Sequence, residues 1–169
     1  SLEVTGIDSG HDYFFRVRAK NSVGESDPTA HVTVAIGEPP AAPTTWSSTS
    51  SAYAGDYMEL GWTHNSRDGS NQSLAQLSLK INDGSWMNYN FKNTTTENSG
   101  EQQDVETFTY GECISYQGEL HVKMNTSHVD LKNATVQWKV RTAGVTDAFS
   151  DVDWSVERTF YIYEKPMLA

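Results

Sequence analysis

The first residues to weigh for chemistry are the histidines, because imidazole moves protons near neutral pH. His11, His31, His64, His121 and His128 are scattered along the 169 residues. No two stand at helical i, i+4 spacing, and no Ser or Cys elbow accompanies them. No catalytic residue is assigned. Cys113 is the sole cysteine, which excludes an intrachain disulfide and a cysteine-based zinc cluster. Two oxygen-rich stretches could interest calcium, a cation that takes about six to eight oxygen ligands. They are Asn65-Ser66-Arg67-Asp68-Gly69-Ser70-Asn71 and the run from Asp147 through Asp151 and Asp153. Neither has EF-hand spacing, so both are read as solvated turns, with no metal and no cofactor expected. Aromatic rings are the remaining candidates, since sugar faces stack on them. Trp46, Tyr53, Trp86, Tyr89, Tyr110 and Tyr116 fall near strand edges or loops, with Trp86 and Tyr89 the candidate glycan contacts. The competing use of such rings is burial in the core.

The elements that must position these residues are strands. In Tyr13-Phe14-Phe15-Arg16-Val17-Arg18-Ala19-Lys20, period-two alternation sorts apolar side chains onto one face and mostly basic ones onto the other. The stretch Val136-Gln137-Trp138-Lys139-Val140-Arg141-Thr142 repeats that sorting, which suggests two related modules. Strands are expected near 44–51, 56–64, 74–82, 86–92, 105–110, 120–125, 135–143 and 154–163. Met58, Leu60 and Trp62 point inward in the second of these, and Leu77, Leu79 and Ile81 in the third. Asp83-Gly84 should turn the chain into Trp86. No stretch shows sustained helical periodicity. The polar run 93–100 reads as a mobile loop.

Charge narrows the partners. Twelve basic against 22 acidic residues give a net charge of −10, which argues against nucleic acid and anionic membrane surfaces. No run approaches the roughly 18 apolar residues of a membrane span, and no signal-peptide pattern is present.

A family resemblance enters at Ile7-Asp8-Ser9-Gly10-His11-Asp12-Tyr13, continuing through Phe15-Arg16-Val17-Arg18-Ala19-Lys20-Asn21 and Gly24-Glu25-Ser26. This stretch resembles the second half of a fibronectin type III domain. The resemblance implies that Tyr13 is a tyrosine corner whose hydroxyl bonds upstream backbone. Residues 43–164 resemble the same family, with Trp62 as the buried second-strand Trp and Trp154-Ser155 opening the last strand. The corner differs there, because Leu131-Lys132-Asn133-Ala134-Thr135-Val136 supplies no Tyr. The implied fold is all-β, an immunoglobulin-like sandwich. The implied organisation is a partial module over 1–38, a Pro-rich linker over 39–43, a complete module over 44–164 and the start of a further linker over 165–169. Residues 1–38 supply only about three strands, so the sequence is expected to be a segment of a longer chain.

Gly61-Trp62-Thr63-His64-Asn65-Ser66 with Asp68-Gly69-Ser70, and Gln137 to Gly144 with Trp154-Ser155-Val156-Glu157-Arg158, are similar to modules repeated in tail proteins of long-tailed bacteriophages and prophages. That likeness implies a non-enzymatic virion component, extracellular and homo-oligomeric in the particle. It would act as spacer, assembly element or weak binder of host-surface glycan, beside other tail proteins and neighbouring modules. The alternative is a spacer or carbohydrate-binding module of a secreted bacterial glycan-degrading enzyme or surface protein. Tyr13, Trp62, Trp138, Arg141 and Trp154 are the residues expected to carry structure. Alternation turns Arg141 outward, so Trp154 is expected to stack on Arg141 or Lys139; the competing placement joins Trp62 and Trp138 in the core.

Overall fold

The computed structural model describes residues 1–92, 103–104, 108–116, 119–144, 149 and 152–167. Among them the chain is all-β, its only helical element a 3-10 turn at Val129–Leu131. Strands β1 (His11–Phe15) and β2 (Val32–Ile36) form an antiparallel pair, a two-stranded sheet of their own among the described residues. A four-stranded sheet follows, ordered β3-β5-β10-β9 from β3 (Ala41–Ser47), β5 (Glu59–Asn65), β10 (Glu119–Met124) and β9 (Gly111–Tyr116). A six-stranded sheet is ordered β4-β12-β11-β6-β7-β8. Its members are β4 (Ser51–Tyr53), β12 (Arg158–Tyr163), β11 (Ala134–Ala143), β6 (Leu74–Ile81), β7 (Met87–Lys92) and β8 (Gln103–Asp104).

Alternation drives the burial. Met58, just ahead of β5, and Leu60 and Trp62 on it meet Leu77, Leu79, Val136, Trp138, Val140, Phe160 and Ile162 from the other sheet in one core. Both Trp62 and Trp138 are fully buried. The Trp62 indole donates from Nε1 to Gln72 Oε1 at 3.0 Å, so its one polar atom is satisfied inside the core. Such an arrangement of two sheets over a shared apolar layer is that of a β-sandwich. Arg158 ties the layers together, its guanidinium donating from β12 to the hydroxyl and carbonyl of Thr45 on β3.

Several strand expectations are corrected. The single strand expected at 44–51 is two, β3 and β4, which belong to different sheets. The chain crosses from one layer to the other between them, where β4 pairs parallel to β12. Strand β3 already begins at Ala41, inside the segment expected to be linker. Asn65 holds that start by donating from its amide to Ala42 O (2.7 Å) and to Thr44 Oγ1 (3.1 Å). Of the strand expected at 105–110, residues 105–107 lie outside the described residues and Phe108 to Tyr110 form a turn. The next strand is β9, where Gly111 is required. A Cβ there would collide with the Lys123 carbonyl on β10. The turn expected at Asp83-Gly84 does join β6 to β7, with Asn82 left-handed at φ 51° and Gly84 N–H closing on Ile81 O at 3.0 Å. The last strand begins at Arg158, not at Trp154. The expected mobile loop at 93–100 lies outside the described residues.

Candidate functional surface

The outer face of the six-stranded sheet carries a linked set of ring, cation and amide contacts. Along β11, Thr135, Gln137, Lys139 and Arg141 are half-buried while Val136, Trp138 and Val140 are buried, so both cations face outward. Ahead of β12, Ser155 runs beside β11. Its N–H donates to Val140 O (2.8 Å), and its hydroxyl accepts from Val140 N–H (3.0 Å). That anchoring turns the preceding Trp154 over the two cations. Lys139 Nζ lies 5.1 Å and Arg141 Cζ 4.6 Å from the Trp154 ring. Lys139 also sits over Trp86 at 4.5 Å, and Arg141 over Phe149 at 4.8 Å. The result is a ladder of alternating rings and cations: Trp86, Lys139, Trp154, Arg141, Phe149. Gln76 Oε1 accepts from Arg141 Nε at 2.9 Å, and Asn90 Oδ1 in turn accepts from Gln76 Nε2 at 2.8 Å. Burial pulls the Arg141 guanidinium below its ordinary pKa.

The two residues proposed for glycan contact are not brought together. Trp86 belongs to the outer ladder, whereas Tyr89 packs against the core, edge-on to Phe108 at 4.9 Å and to Tyr110 at 6.4 Å. Met87, Tyr89 and Phe91 share the inner side of β7, so the period-two rule itself separates Tyr89 from Trp86. Tyr110 is buried too. Its hydroxyl bonds Asp130 Oδ2 at 3.2 Å, and burial followed by that carboxylate raises its pKa. Side-chain placement of Tyr116 lies outside the described residues. The rings that are exposed include two the sequence reading passed over. Tyr161 and Tyr163 stack at 6.4 Å on the outer side of β12, and Tyr53 of β4 lies 6.4 Å from Tyr163.

Tyr13 makes the upstream backbone contact. Its hydroxyl accepts from Asp8 N–H at 2.8 Å and lies 3.4 Å from Asp8 O. The Asn21 side chain then folds the following turn, accepting from the N–H groups of Val23 (2.9 Å) and Gly24 (3.1 Å). The downstream segment has no Tyr there; Leu131 is fully buried and Asn133 turns the chain at φ 49°.

The loop from Asn65 to Asn71 is organised around one carboxylate. Asp68 Oδ1 accepts from Ser66 Oγ (3.0 Å) and Ser70 N–H (2.9 Å), and Oδ2 accepts from Glu38 N–H (2.8 Å). These bonds, those of Ser70 foremost, hold its carboxyl far below the ordinary value of 3.8. Most of the second oxygen-rich stretch lies outside the described residues. No cluster of three or more metal-ligating side chains occurs among the described residues.

The histidines serve separate local contacts. His64 pairs through Nδ1 with Thr142 Oγ1 at 2.8 Å, and burial lowers its pKa. His128 stacks edge-on to Tyr110 at 4.9 Å. Cys113 is half-buried and packs against the core. Compared with models of known protein families and with curated proteins, the chain matches none of them.

Proposed function

We propose that this chain is a structural and adhesive, non-enzymatic part of a bacteriophage tail protein, built from fibronectin type III-like sandwiches at the tail tip or in a fibre. It would sit outside the cell in the virion, in several copies, against other tail proteins and neighbouring modules of its own chain. The observation that supports this most is the ladder on the six-stranded sheet. It fastens the segment ahead of the last strand, through Trp154, to two cations of β11. Rings and cations in this geometry contribute about 0.5–1 kcal/mol each when exposed and more when shielded. They stiffen the sandwich, which suits a spacer. The family reading rests on sequence likeness, because the fold alone does not specify a role.

Immunogold electron microscopy with antibodies against residues 44–164 tests this on particles from the host that encodes the chain. Label at the tail tip or along its fibres is the expected result. Label found only with a secreted polysaccharide-degrading enzyme would overturn it.

A further inference from the structure

The outer face of the four-stranded sheet carries a second set of ring and charge contacts, separate from those above. Trp46 on β3 and His121 on β10 flank Gly61 of β5 in one cross-strand row. The Trp46 indole sits directly over Gly61, where any Cβ would collide with it. Glycine weakens a strand interior and often marks the close approach of another group. Covering Gly61 occupies one side of the indole, yet Trp46 remains 40% exposed. Beside it, the His121 ring lies 6.0 Å away, and His121 Nε2 is 3.6 Å from Glu59 Oε1. The His121 and Glu59 side chains are only 13% and 15% exposed, so they form a recessed floor. In the next row Glu59 is paired with Lys123, whose Nζ lies 3.8 Å from Glu112 and 5.5 Å from the ring of Tyr57. Tyr57, 59% exposed, borders an open cleft of about 480 Å³ that also reaches Lys123 and Glu112.

We infer that this face is a binding groove for a neutral oligosaccharide, with Trp46 and Tyr57 as stacking rims and Glu59, His121, Lys123 and Glu112 bonding hydroxyls between them. Two exposed rings with fixed polar groups between them offer a sugar both a stacking face and partners for its hydroxyls. Carboxylate, imidazole and ammonium groups held in place by one another meet sugar hydroxyls, which both donate and accept, without reorganisation. The chain's net charge of −10 disfavours acidic sugars. The inference rests on the adhesive half of the function proposed above and names its ligand class.

The test is a titration of the ¹⁵N-labelled full chain with cellohexaose, chitohexaose and maltohexaose to millimolar concentration. The Trp46 indole and Gly61 amide resonances should shift with at least one of them. Tyr57→Ala and Glu59→Gln should each weaken that binding roughly tenfold, the effect of losing one stacking face or one charge-assisted hydrogen bond. Tyr57 lies at the exposed rim, so its variant decides the matter should Glu59→Gln unfold the chain. Absence of shifts with all three sugars, or binding unchanged in Tyr57→Ala, would overturn the groove. A tail-located chain that takes no sugar leaves the structural reading intact and sinks this one. Sugar binding by a chain absent from the tail does the reverse.

Discussion

At the scale of single residues, Trp154 and Arg141 show how far alternation alone reaches. Counting by two along β11 turns Arg141 away from the core, and the spacing of Trp154-Ser155 lays the indole beside it. What the count does not supply is the rest of the ladder. Trp86 arrives from the β6–β7 turn and Phe149 from the segment after β11, through contacts that no local pattern encodes. Arg141 has three uses at once: Trp154, Phe149 and the Gln76 carbonyl. Its planar fork suits all three, where a lysine offers only a point charge. In denaturant unfolding, Trp154→Ala and Arg141→Ala are each expected to destabilise the chain by about 1–3 kcal/mol. The double variant should lose less than the sum, leaving a coupling of about 0.5–2 kcal/mol. Strict additivity of the two losses would show that the rings and cations are merely adjacent.

At the scale of elements, the strands with regular alternation were the readable ones. β5, β6 and β11 carry their inward residues every second position, and those residues fill the core. The strands that alternation does not place owe their existence to distant partners. β4 has only three residues and is held by parallel pairing to β12, more than a hundred positions away. β9 depends on Gly111 allowing the Lys123 carbonyl to approach. The late start of β12 has a specific cause as well. Ladder pairing between β11 and β12 ends at Trp138 and Arg158, and beyond it the Ser155 hydroxyl takes the Val140 N–H that a strand carbonyl would otherwise receive. Ser155→Ala leaves that buried N–H without a partner, a loss of about 1–3 kcal/mol. Ser155→Thr, which keeps the hydroxyl, should retain most of it. Hydrogen exchange at the Val140 amide gives the local readout. It should quicken in the Ala variant, and unchanged protection there would assign the role to another group.

At the scale of the whole molecule, the contrast is between a sandwich with a closed core and the β1–β2 strand pair, which contributes no residue to that core among the described residues. Among the described residues β1 and β2 pair only with each other, and Phe14, Val32 and Val34 are exposed. Between that pair and β3 the linker residue Glu38 is fixed to the β5–β6 loop through Asp68. The sequence marked that loop for its oxygens. Both oxygens of Asp68 are engaged inside the protein, each accepting from a neighbour or from the linker. A carboxylate bonded in this way has a folded pKa below its unfolded one. Its contribution to stability is therefore complete above the ordinary value of 3.8 and is lost as pH falls through the lower folded value. Asp68 is exposed, so solvent screens the energy, and the clearer signal is local. In an acid titration followed by NMR, the amides of Glu38 and Ser70 should move together, with a midpoint well below 3.8. In Asp68→Asn that shared step should vanish, and Glu38 N–H should exchange faster even at neutral pH, because an amide oxygen accepts more weakly than a carboxylate. A Glu38 amide that titrates unchanged in Asp68→Asn would show that the linker is held by something other than this carboxylate.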